Sequence, residues 1–378
     1  MALSPDDLAM LRRALALAEG AIGVSEPNPR VGCVLHDAQG QLTGEGFTQQ
    51  AGGPHAEVMA MRAAAAAGRP LAGGTAWVTL EPCAHHGRTP PCADALVAAG
   101  LARVVVATTD PFPQVAGRGI ARLREAGITV DLAEPGPVTD EAHALNIGFF
   151  SRVLRQRPWV RLKLAASLDG RTALPDGRSQ WITSEAARAD GHLWRRRAGA
   201  ILTGSGTVLD DDPRLDVRLA GMVRQPLRVV VDSAFRTPPQ ARLIPSPGDC
   251  LIVGANAQAG ERMQALRDAG AQVALLPGAD GRVDLAALLA DLARRGVNEL
   301  HVEAGARLGG ALWQAGLVDE LLLYLAPKLI GPGRELLALP LLGGLDALRP
   351  LAIVELQPVG PDIRLRLQAQ DAQGFLRA

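Results

Sequence analysis

His55 and Glu57 form an H-x-E triplet, and two Pro-Cys pairs, ending in Cys83 and Cys92, follow it along the chain. One imidazole and two thiolates are a common ligand set for zinc, and they leave a fourth tetrahedral position for water, as catalytic sites require. Because two thiolates neutralise much of the zinc charge, a base that takes a proton from the bound water gains importance, and Glu57 is placed for that role. The pattern predicts a zinc-activated water, with His55, Cys83 and Cys92 as ligands and Glu57 as proton shuttle.

The spacing of the two cysteines departs from the form usual for this chemistry, in which two residues separate them. Here eight residues lie between Cys83 and Cys92, in the run CAHHGRTPPC. A closed structural zinc site therefore stays open as an alternative, with His85 or His86 as the fourth ligand.

Local patterns indicate the elements that must position these residues. Ser4-Pro5-Asp6-Asp7 is typical of the first turn of a helix, and a second helical pattern starts after His55 and stops at Gly68. Cys83 follows a β-branched run at 75–80, so we expect it at the start of another helix and two helix N-termini at the site. Strand-like and helix-like runs alternate up to residue 132, which predicts a layered α/β domain.

A domain boundary is expected near residue 150. The segment FFSRVLRQRPW (149–159) is rich in arginine and contains no acidic residue, and we interpret it as a solvated linker. Strand-like runs at 200–204, 227–233 and 250–254 then alternate with helical runs again, up to a strand pattern at 319–331. The sequence predicts two different α/β domains, residues 1–150 and 151–378.

The composition excludes several function classes. Lys+Arg and Asp+Glu are both 39 and aromatic residues make up 3%, which disfavours nucleic acid and leaves a small molecule as the expected partner. No stretch reaches 18 apolar residues and the N-terminal segment is acidic, so we expect a cytoplasmic protein without membrane contact. The four cysteines do not form a disulfide framework in such a compartment.

Longer runs carry a family resemblance. EPCAHHGRTPPC, with PNPRVGCV before HAEVMA upstream of it, is similar to the deaminase domain of the bifunctional riboflavin-biosynthesis deaminase/reductase family. LKLAASLDGRTA, SQWITS, ILTGSGTVLDDDPRLDVR and HVEAGARLGGALWQAGLVDELLLYLAPKL resemble the family's reductase domain. The resemblance covers nearly the whole chain. It implies an N-terminal cytidine-deaminase-like three-layer domain and a C-terminal dihydrofolate-reductase-like domain.

This resemblance also implies two successive reactions. The first is zinc-dependent hydrolytic deamination of a diaminohydroxyphosphoribosylaminopyrimidine, and the second is NADPH-dependent reduction of the ribosyl side chain to ribityl. A homodimer built through the reductase domains is implied as well. Asn28, in a Pro-Asn-Pro turn, resembles a pyrimidine contact, although a turn-forming Asn that satisfies its own backbone accounts for it equally well.

In the second half the resemblance implies two groups of contacts. Glycines at the start of a helix suit a pyrophosphate, although a glycine can also serve only to begin the helix. The residues that resemble NADP contacts are Ala165, Trp181, Thr207, Asp211, Ser233, Gly305, Ala306, Arg307, Leu308, Gly309, Gly310 and Ala311. Those that resemble substrate contacts are Ser179, Arg195, Leu215, Arg218 and Glu303. Lys163 is added as a substrate contact or proton donor, with an exposed strand lysine as the alternative.

Two further hypotheses compete with this one. The chain would be a pyrimidine or nucleoside deaminase with an unrelated accessory domain if it bound no NADPH. It would be a zinc-stabilised scaffold or a nucleic-acid-binding relative of the RNA deaminases if it bound RNA, but the balanced charge and the scarcity of aromatic residues speak against that.

Overall fold

The fold is described from a computed structural model, which covers residues 3–85 and 90–377. The chain divides into two compact units, Met1–Arg155 and Gln156–Ala378. Both units are α/β, as the alternating patterns predict. None of the helices in the described ranges is long and apolar enough to cross a membrane.

The first unit is built on a five-stranded sheet in the order β2-β1-β3-β4-β5. β1 pairs antiparallel with β2 and β3, whereas β3, β4 and β5 are parallel to one another. Its strands are β1 (Gly32–His36), β2 (Leu42–Phe47), β3 (Thr75–Val78), β4 (Arg103–Val106) and β5 (Thr129–Leu132). Its helices are α1 (Pro5–Ala18), α2 (Ala56–Ala66), α3 (Cys92–Ala98), α4 (Arg118–Glu125), α5 (Pro137–Leu145) and α6 (Ile147–Arg155).

Local chemistry explains how the first unit begins. Ser4 and Asp7 form a reciprocal capping box around the first turn of α1, with Pro5 at its first position. Asp7 is buried, and its carboxylate accepts hydrogen bonds from the Trp77 indole and the Arg103 guanidinium. α1 is thereby fixed to two central strands, β3 and β4.

The segment interpreted as a solvated linker is helical up to Arg155, so that interpretation is wrong. α6 includes its first half, and Phe149 and Phe150 are buried, with their rings edge to face at a centroid distance of 6.1 Å. The arginines suggested solvent exposure, but Arg152 is partly buried, and its guanidinium carbon lies 5.5 Å from the Phe149 ring centroid.

The second unit is built on a nine-stranded sheet in the order β11-β10-β9-β8-β12-β6-β13-β16-β15, beside a two-stranded sheet, β14-β7. Its strands are β6 (Trp159–Ser167), β7 (Arg171–Ala173), β8 (Ala200–Gly204), β9 (Leu227–Val231), β10 (Cys250–Gly254), β11 (Gln272–Leu275), β12 (Glu299–Val302), β13 (Glu320–Ala326), β14 (Arg334–Glu335), β15 (Leu351–Val359) and β16 (Asp362–Ala369). Its helices are α7 (Glu185–Arg197), α8 (Ser205–Asp211), α9 (Gly260–Asp268), α10 (Leu285–Arg294) and α11 (Ala306–Gln314).

The two faces of this large sheet differ in polarity. One face carries an apolar core that includes Val160, Leu162, Leu300 and Val302. The alternate positions of the same strands carry charges, of which Arg161 is 1% exposed. α7 covers this polar face: its Ala187 packs against Leu322 and Tyr324, and the Trp194 ring lies 4.6 Å from the Arg161 guanidinium carbon.

Candidate functional site

Three predicted zinc ligands of the first unit lie together. His55 is the N-cap of α2, Cys92 is the first residue of α3, and Cys83 lies in the loop between β3 and α3. His55 Nδ1 is 3.6 Å from Cys83 Sγ and 3.4 Å from Cys92 Sγ, and the three ligand atoms all lie within 4.8 Å of one another.

These distances fit a zinc ion. Tetrahedral bonds of about 2.0–2.1 Å to nitrogen and about 2.3 Å to sulfur separate the nitrogen and sulfur atoms by about 3.5 Å. Hydrogen bonds from the Cys92 thiol and from His55 lower the pKa of Cys83, which favours the thiolate, the form that binds metals. The Cys92 backbone N–H also donates to Cys83 Sγ at 3.3 Å, which fixes the long loop at both of its cysteines.

The expectation that Cys83 begins a helix is wrong. Cys83 lies outside any helix, and Cys92 is the residue that begins α3. His85 is not part of the ligand cluster found among the described residues: its ring lies against Phe112, at a centroid distance of 6.0 Å. His86 lies outside the described residues.

Glu57 is buried beside the ligands, in the wall of a cavity of about 390 Å³. It stands in the first turn of α2, its carboxyl group is in hydrogen-bonding contact with the Cys92 thiol, and burial raises its pKa. Asn28 lines the same cavity. The Asn28 backbone exchanges hydrogen bonds with Ser25, and no hydrogen bond of the Asn28 side chain is found in the described part of the chain.

Other residues that line the cavity were missed by the sequence analysis: Glu81, Asp110, Phe112, Val115 and Arg152. Burial raises the pKa of Asp110 to about 7 and lowers the pKa of Arg152. Only Glu81 carried a sequence signal, since it directly precedes Pro82-Cys83. The others come from a loop and a helix distant in sequence.

In the second unit, two predicted substrate contacts form an ion pair. Arg195, near the end of α7, binds both carboxylate oxygens of Glu303, with distances of 2.5 Å from Nε and 3.0 Å from Nη2. Burial alone would raise the pKa of Glu303, but the Arg195 guanidinium holds it well below its usual range. Lys163, on β6, lies within electrostatic reach of both side chains, and burial lowers its pKa.

Asp216, a residue that sequence reasoning missed, joins the segment of Leu215 and Arg218 to this ion pair. Asp216 is 4% exposed; its carbonyl oxygen accepts from Arg195 Nη1 at 2.9 Å and its carboxylate from Arg218 Nη1 at 2.8 Å. Leu215 is buried with a φ of +51°, a strained conformation for a leucine. The segment that follows α8 is thereby attached to the Arg195–Glu303 pair.

The glycines at the start of α11 serve two purposes. Gly305 is the exposed N-cap, and a side chain there would meet no atom within 4 Å, so the backbone is open to a ligand. Gly309 and Gly310 are buried, and a Cβ on Gly310 would overlap the Ala338 carbonyl oxygen. Their lack of a side chain is therefore required by packing. Ala306, Arg307, Leu308 and Ala311 belong to the same helix.

The remaining predicted cofactor contacts are distributed over several elements. Ala165 lies on β6, Thr207 and Asp211 lie on α8, and Ser233 accepts a hydrogen bond from the Val283 N–H at 3.2 Å. Trp181 is 63% exposed, with the Arg188 guanidinium carbon 4.4 Å from its ring centroid. Within residues 90–377, no hydrogen bond joins Trp181 or Ser179 to the Arg195–Glu303 pair.

Comparison with known families matches each unit separately. The family model of the RibD C-terminal domain matches residues 158–365. The model of the cytidine and deoxycytidylate deaminase zinc-binding region matches residues 4–108.

Individual proteins match over almost the full length. The riboflavin biosynthesis protein RibD of Escherichia coli (strain K12) is 47% identical over 370 residues, which cover 94% of this chain and 98% of that protein. The RibD of Haemophilus influenzae is 42% identical over 377 residues, covering 96% of this chain and 97% of that protein.

Solved structures agree. Acinetobacter baumannii RibD superposes with a TM-score of 0.87 at 40% identity, covering 96% of this chain and 99% of that one. A Thermotoga maritima diaminohydroxyphosphoribosylaminopyrimidine deaminase/5-amino-6-(5-phosphoribosylamino)uracil reductase does so with a TM-score of 0.85 at 30% identity, over the same shares of the two chains.

Proposed function

The chain belongs to the RibD family of riboflavin biosynthesis proteins, and on that premise we propose which of its residues perform the family's two reactions. It is a bifunctional enzyme, with a cytidine-deaminase-like N-terminal domain and a C-terminal reductase domain. The deaminase replaces an amino group of diaminohydroxyphosphoribosylaminopyrimidine with oxygen, and the reductase converts the ribosyl side chain of the resulting uracil to ribityl. We assign residues 1–150 and 151–378 to these activities; the compact units, which divide after Arg155, support this assignment.

The deaminase assignment depends on one observation: His55, Cys83 and Glu57 line one cavity, and the Cys92 sulfur lies within 4.8 Å of the ligand atoms of His55 and Cys83. The first three residues would hold zinc, which when bound supplies a water activated for attack on the pyrimidine ring. Glu57 accepts the proton from that water and delivers it to the departing amino group, so ammonia leaves neutral. Asn28, whose side chain lines the same cavity, binds the pyrimidine.

Zinc content and product formation test this assignment together. Cys83→Ser is expected to lose both bound zinc and deamination, while reduction of supplied deaminated intermediate continues. His85→Ala is the matched variant: it should keep zinc if the site is open, and lose it if His85 closes the coordination shell. Zinc retained by Cys83→Ser would overturn the assignment.

In the reductase, NADPH would supply a hydride, and the protein binds and orients the two partners. Arg195, Arg218 and Lys163 offer positive charge for a phosphorylated substrate, with Glu303 as acceptor for sugar hydroxyls. We assign the cofactor to the open backbone at Gly305 and the start of α11, together with the predicted contacts on β6 and α8. Lys163 is a substrate contact or proton donor.

Cofactor choice and the role of Lys163 are tested by kinetics. The reductase should use NADPH in preference to NADH, and Lys163→Met should impair reduction without changing deamination. Equal use of NADH would overturn the choice of NADPH, and an unimpaired Lys163→Met variant would remove Lys163 from the site.

We also propose a cytoplasmic homodimer that forms through the reductase domains. A site that uses Cys83 and Cys92 as zinc ligands needs both cysteines reduced, which suits a cytoplasmic location. Within the described residues β15 pairs only with β16. Its residues Ile353 and Leu356 are 63% and 61% exposed. An edge strand with exposed apolar side chains suits pairing with a second copy. Light scattering should give the mass of a dimer for the wild type and of a monomer for Leu356→Asp; a monomeric wild type would contradict the proposal.

A further inference from the structure

Glu81 is a buried carboxyl group that the proton-transfer scheme does not use. It is 3% exposed and lies two residues before the zinc ligand Cys83. Its side chain accepts four backbone hydrogen bonds. Oε2 accepts from Asp110 at 3.3 Å and Gly117 at 2.9 Å, and Oε1 accepts from Gly119 at 2.9 Å and Ile120 at 3.2 Å.

These four hydrogen bonds fix both ends of one segment of the cavity wall, residues 110–117. Residues 110–117 contribute Asp110, Phe112 and Val115 to the cavity, and the donors stand at residue 110 and at residues 117–120. The Glu81 backbone N–H donates to the Thr108 carbonyl oxygen at 3.0 Å, so the wall is also joined to Glu81 just before it begins. The position of this wall relative to Cys83 therefore depends on Glu81.

Glu81 also serves as the missing cap of α4. The N-cap of α4, Gly117, has no side chain to accept the free N–H groups of the first turn, and two of these groups bond to Glu81 Oε1. α4 begins directly against the residue after Glu81, since a Cβ on Gly119 would overlap the Pro82 carbonyl oxygen.

A carboxylate offers about four acceptor positions, and four donors fill them. Glu81 therefore has no acceptor left for substrate, although it lies beside the cavity. We propose that Glu81 is a positioning residue that sets the distance between the zinc-ligand segment and the substrate-facing wall 110–117. It controls how tightly the deaminase binds its substrate, and it takes no part in proton transfer. This inference rests on the proposed zinc and substrate assignment.

The direct test is the steady-state kinetics of Glu81→Gln. The side-chain amide nitrogen cannot accept hydrogen bonds, so two of the four N–H groups lose their acceptor, and a buried donor left without one costs enough free energy to displace a loop. We expect the KM for the pyrimidine substrate to rise about tenfold or more, with kcat within about threefold of wild type. Zinc per chain and reductase activity should not change.

Two further variants keep the test decisive if Glu81→Gln folds poorly. Gly119→Ala leaves Glu81 intact but displaces the wall from Pro82, so it should raise KM in the same way. Glu125→Gln, an exposed residue of the same helix, is the matched control and should behave as wild type. Hydrogen exchange of residues 110–120 should be faster in Glu81→Gln and Gly119→Ala than in the control.

Different outcomes identify different failures. A Glu81→Gln enzyme with unchanged KM and a large loss of kcat would overturn the inference by placing Glu81 in the chemistry. Loss of zinc would also overturn it, because Glu81 would then act through Cys83. If the wild type itself bound no zinc or did not deaminate, the proposed function would fail instead.

Discussion

Arg161 offers a quantitative test of the buried charges that support the reductase site. Its guanidinium is 1% exposed and lies 2.9 Å from Glu299 and 2.6 Å from Glu320, whose side chains are 0% and 1% exposed. Each carboxylate keeps a second guanidinium, since Arg197 is 2.8 Å from Glu299 and Arg366 is 3.1 Å from Glu320. Arg161→Met replaces the side chain by an unbranched apolar one and leaves each carboxylate its second guanidinium.

The expected loss of stability follows from the guanidinium groups that remain beside the two carboxylates. Removing one member of a buried ion pair costs about 3–5 kcal/mol, and the two remaining guanidinium groups place the cost near the lower limit, at about 3 kcal/mol. A domain of 150–250 residues changes its Tm by roughly 2–4 °C per kcal/mol. The reductase unit of Arg161→Met should therefore melt about 6–12 °C lower than wild type. The deficit should shrink as the pH falls from about 4.5 to about 2, because Arg161 helps to lower the pKa of Glu320 to about 2 in the folded state, and the stability gained from this is lost over that range.

Residual activity after heating measures this effect, with reductase and deaminase assayed on the same samples. Only the reductase should lose activity at a lower temperature. Arg282→Met is the control: Arg282 is 79% exposed and 3.9 Å from Asp280, so its removal should cost roughly 0–1 kcal/mol. An Arg161→Met reductase no less stable than the control would refute the reasoning.

Two predictions concern the deaminase unit. Burial raises the folded-state pKa of Asp110 to about 7, so the contribution of Asp110 to stability should fall as the pH rises from about 4 to about 7. Asp110→Asn should remove this fall, with a gain of roughly 1–4 kcal/mol at pH 8 and little at pH 4.5, as thermal melts will show; an equal gain at both pH values would contradict it. Asn146 is 3% exposed and exchanges two hydrogen bonds with the Arg30 backbone, at 2.7 and 2.8 Å. Asn146→Ala should lower the free energy of unfolding of the unit by roughly 2–4 kcal/mol, measured by denaturant titration. It should also raise the substrate KM, because Arg30 follows the turn that carries Asn28. An unchanged KM would show that the loss of stability does not extend to substrate binding.

The proposed zinc ligands could be identified from the sequence because ligand chemistry restricts residue types. His, Cys and Cys near a Glu have few other uses together, and the structure indeed brings His55, Cys83 and Cys92 together. The substrate-facing wall was not readable. The Asp110 N–H donates to Glu81 and the Phe112 N–H donates to the Asp110 carboxylate, and no local pattern encodes the contact with Glu81.

The polar face of the large sheet misled the sequence analysis for a different reason. Arg161 and Lys163 alternate with Val160, Leu162 and Leu164, which is typical of a strand with one solvated face. The alternative of an exposed strand lysine is wrong, because α7 covers this face and the charges pair with one another beneath it. Helix cover over a charged face depends on tertiary packing, which alternation cannot reveal.

The most direct test of two independent sites on one chain is mass spectrometry of the products formed by zinc-replete protein. The wild type should accumulate deaminated compound without NADPH and ribityl product with it. Glu57→Ala should deaminate the diaminopyrimidine substrate about 10²–10⁴-fold more slowly than wild type, yet reduce supplied deaminated intermediate at the wild-type rate. If Glu57→Ala still deaminated at the wild-type rate, or failed to reduce the supplied intermediate, the division into two sites would be contradicted.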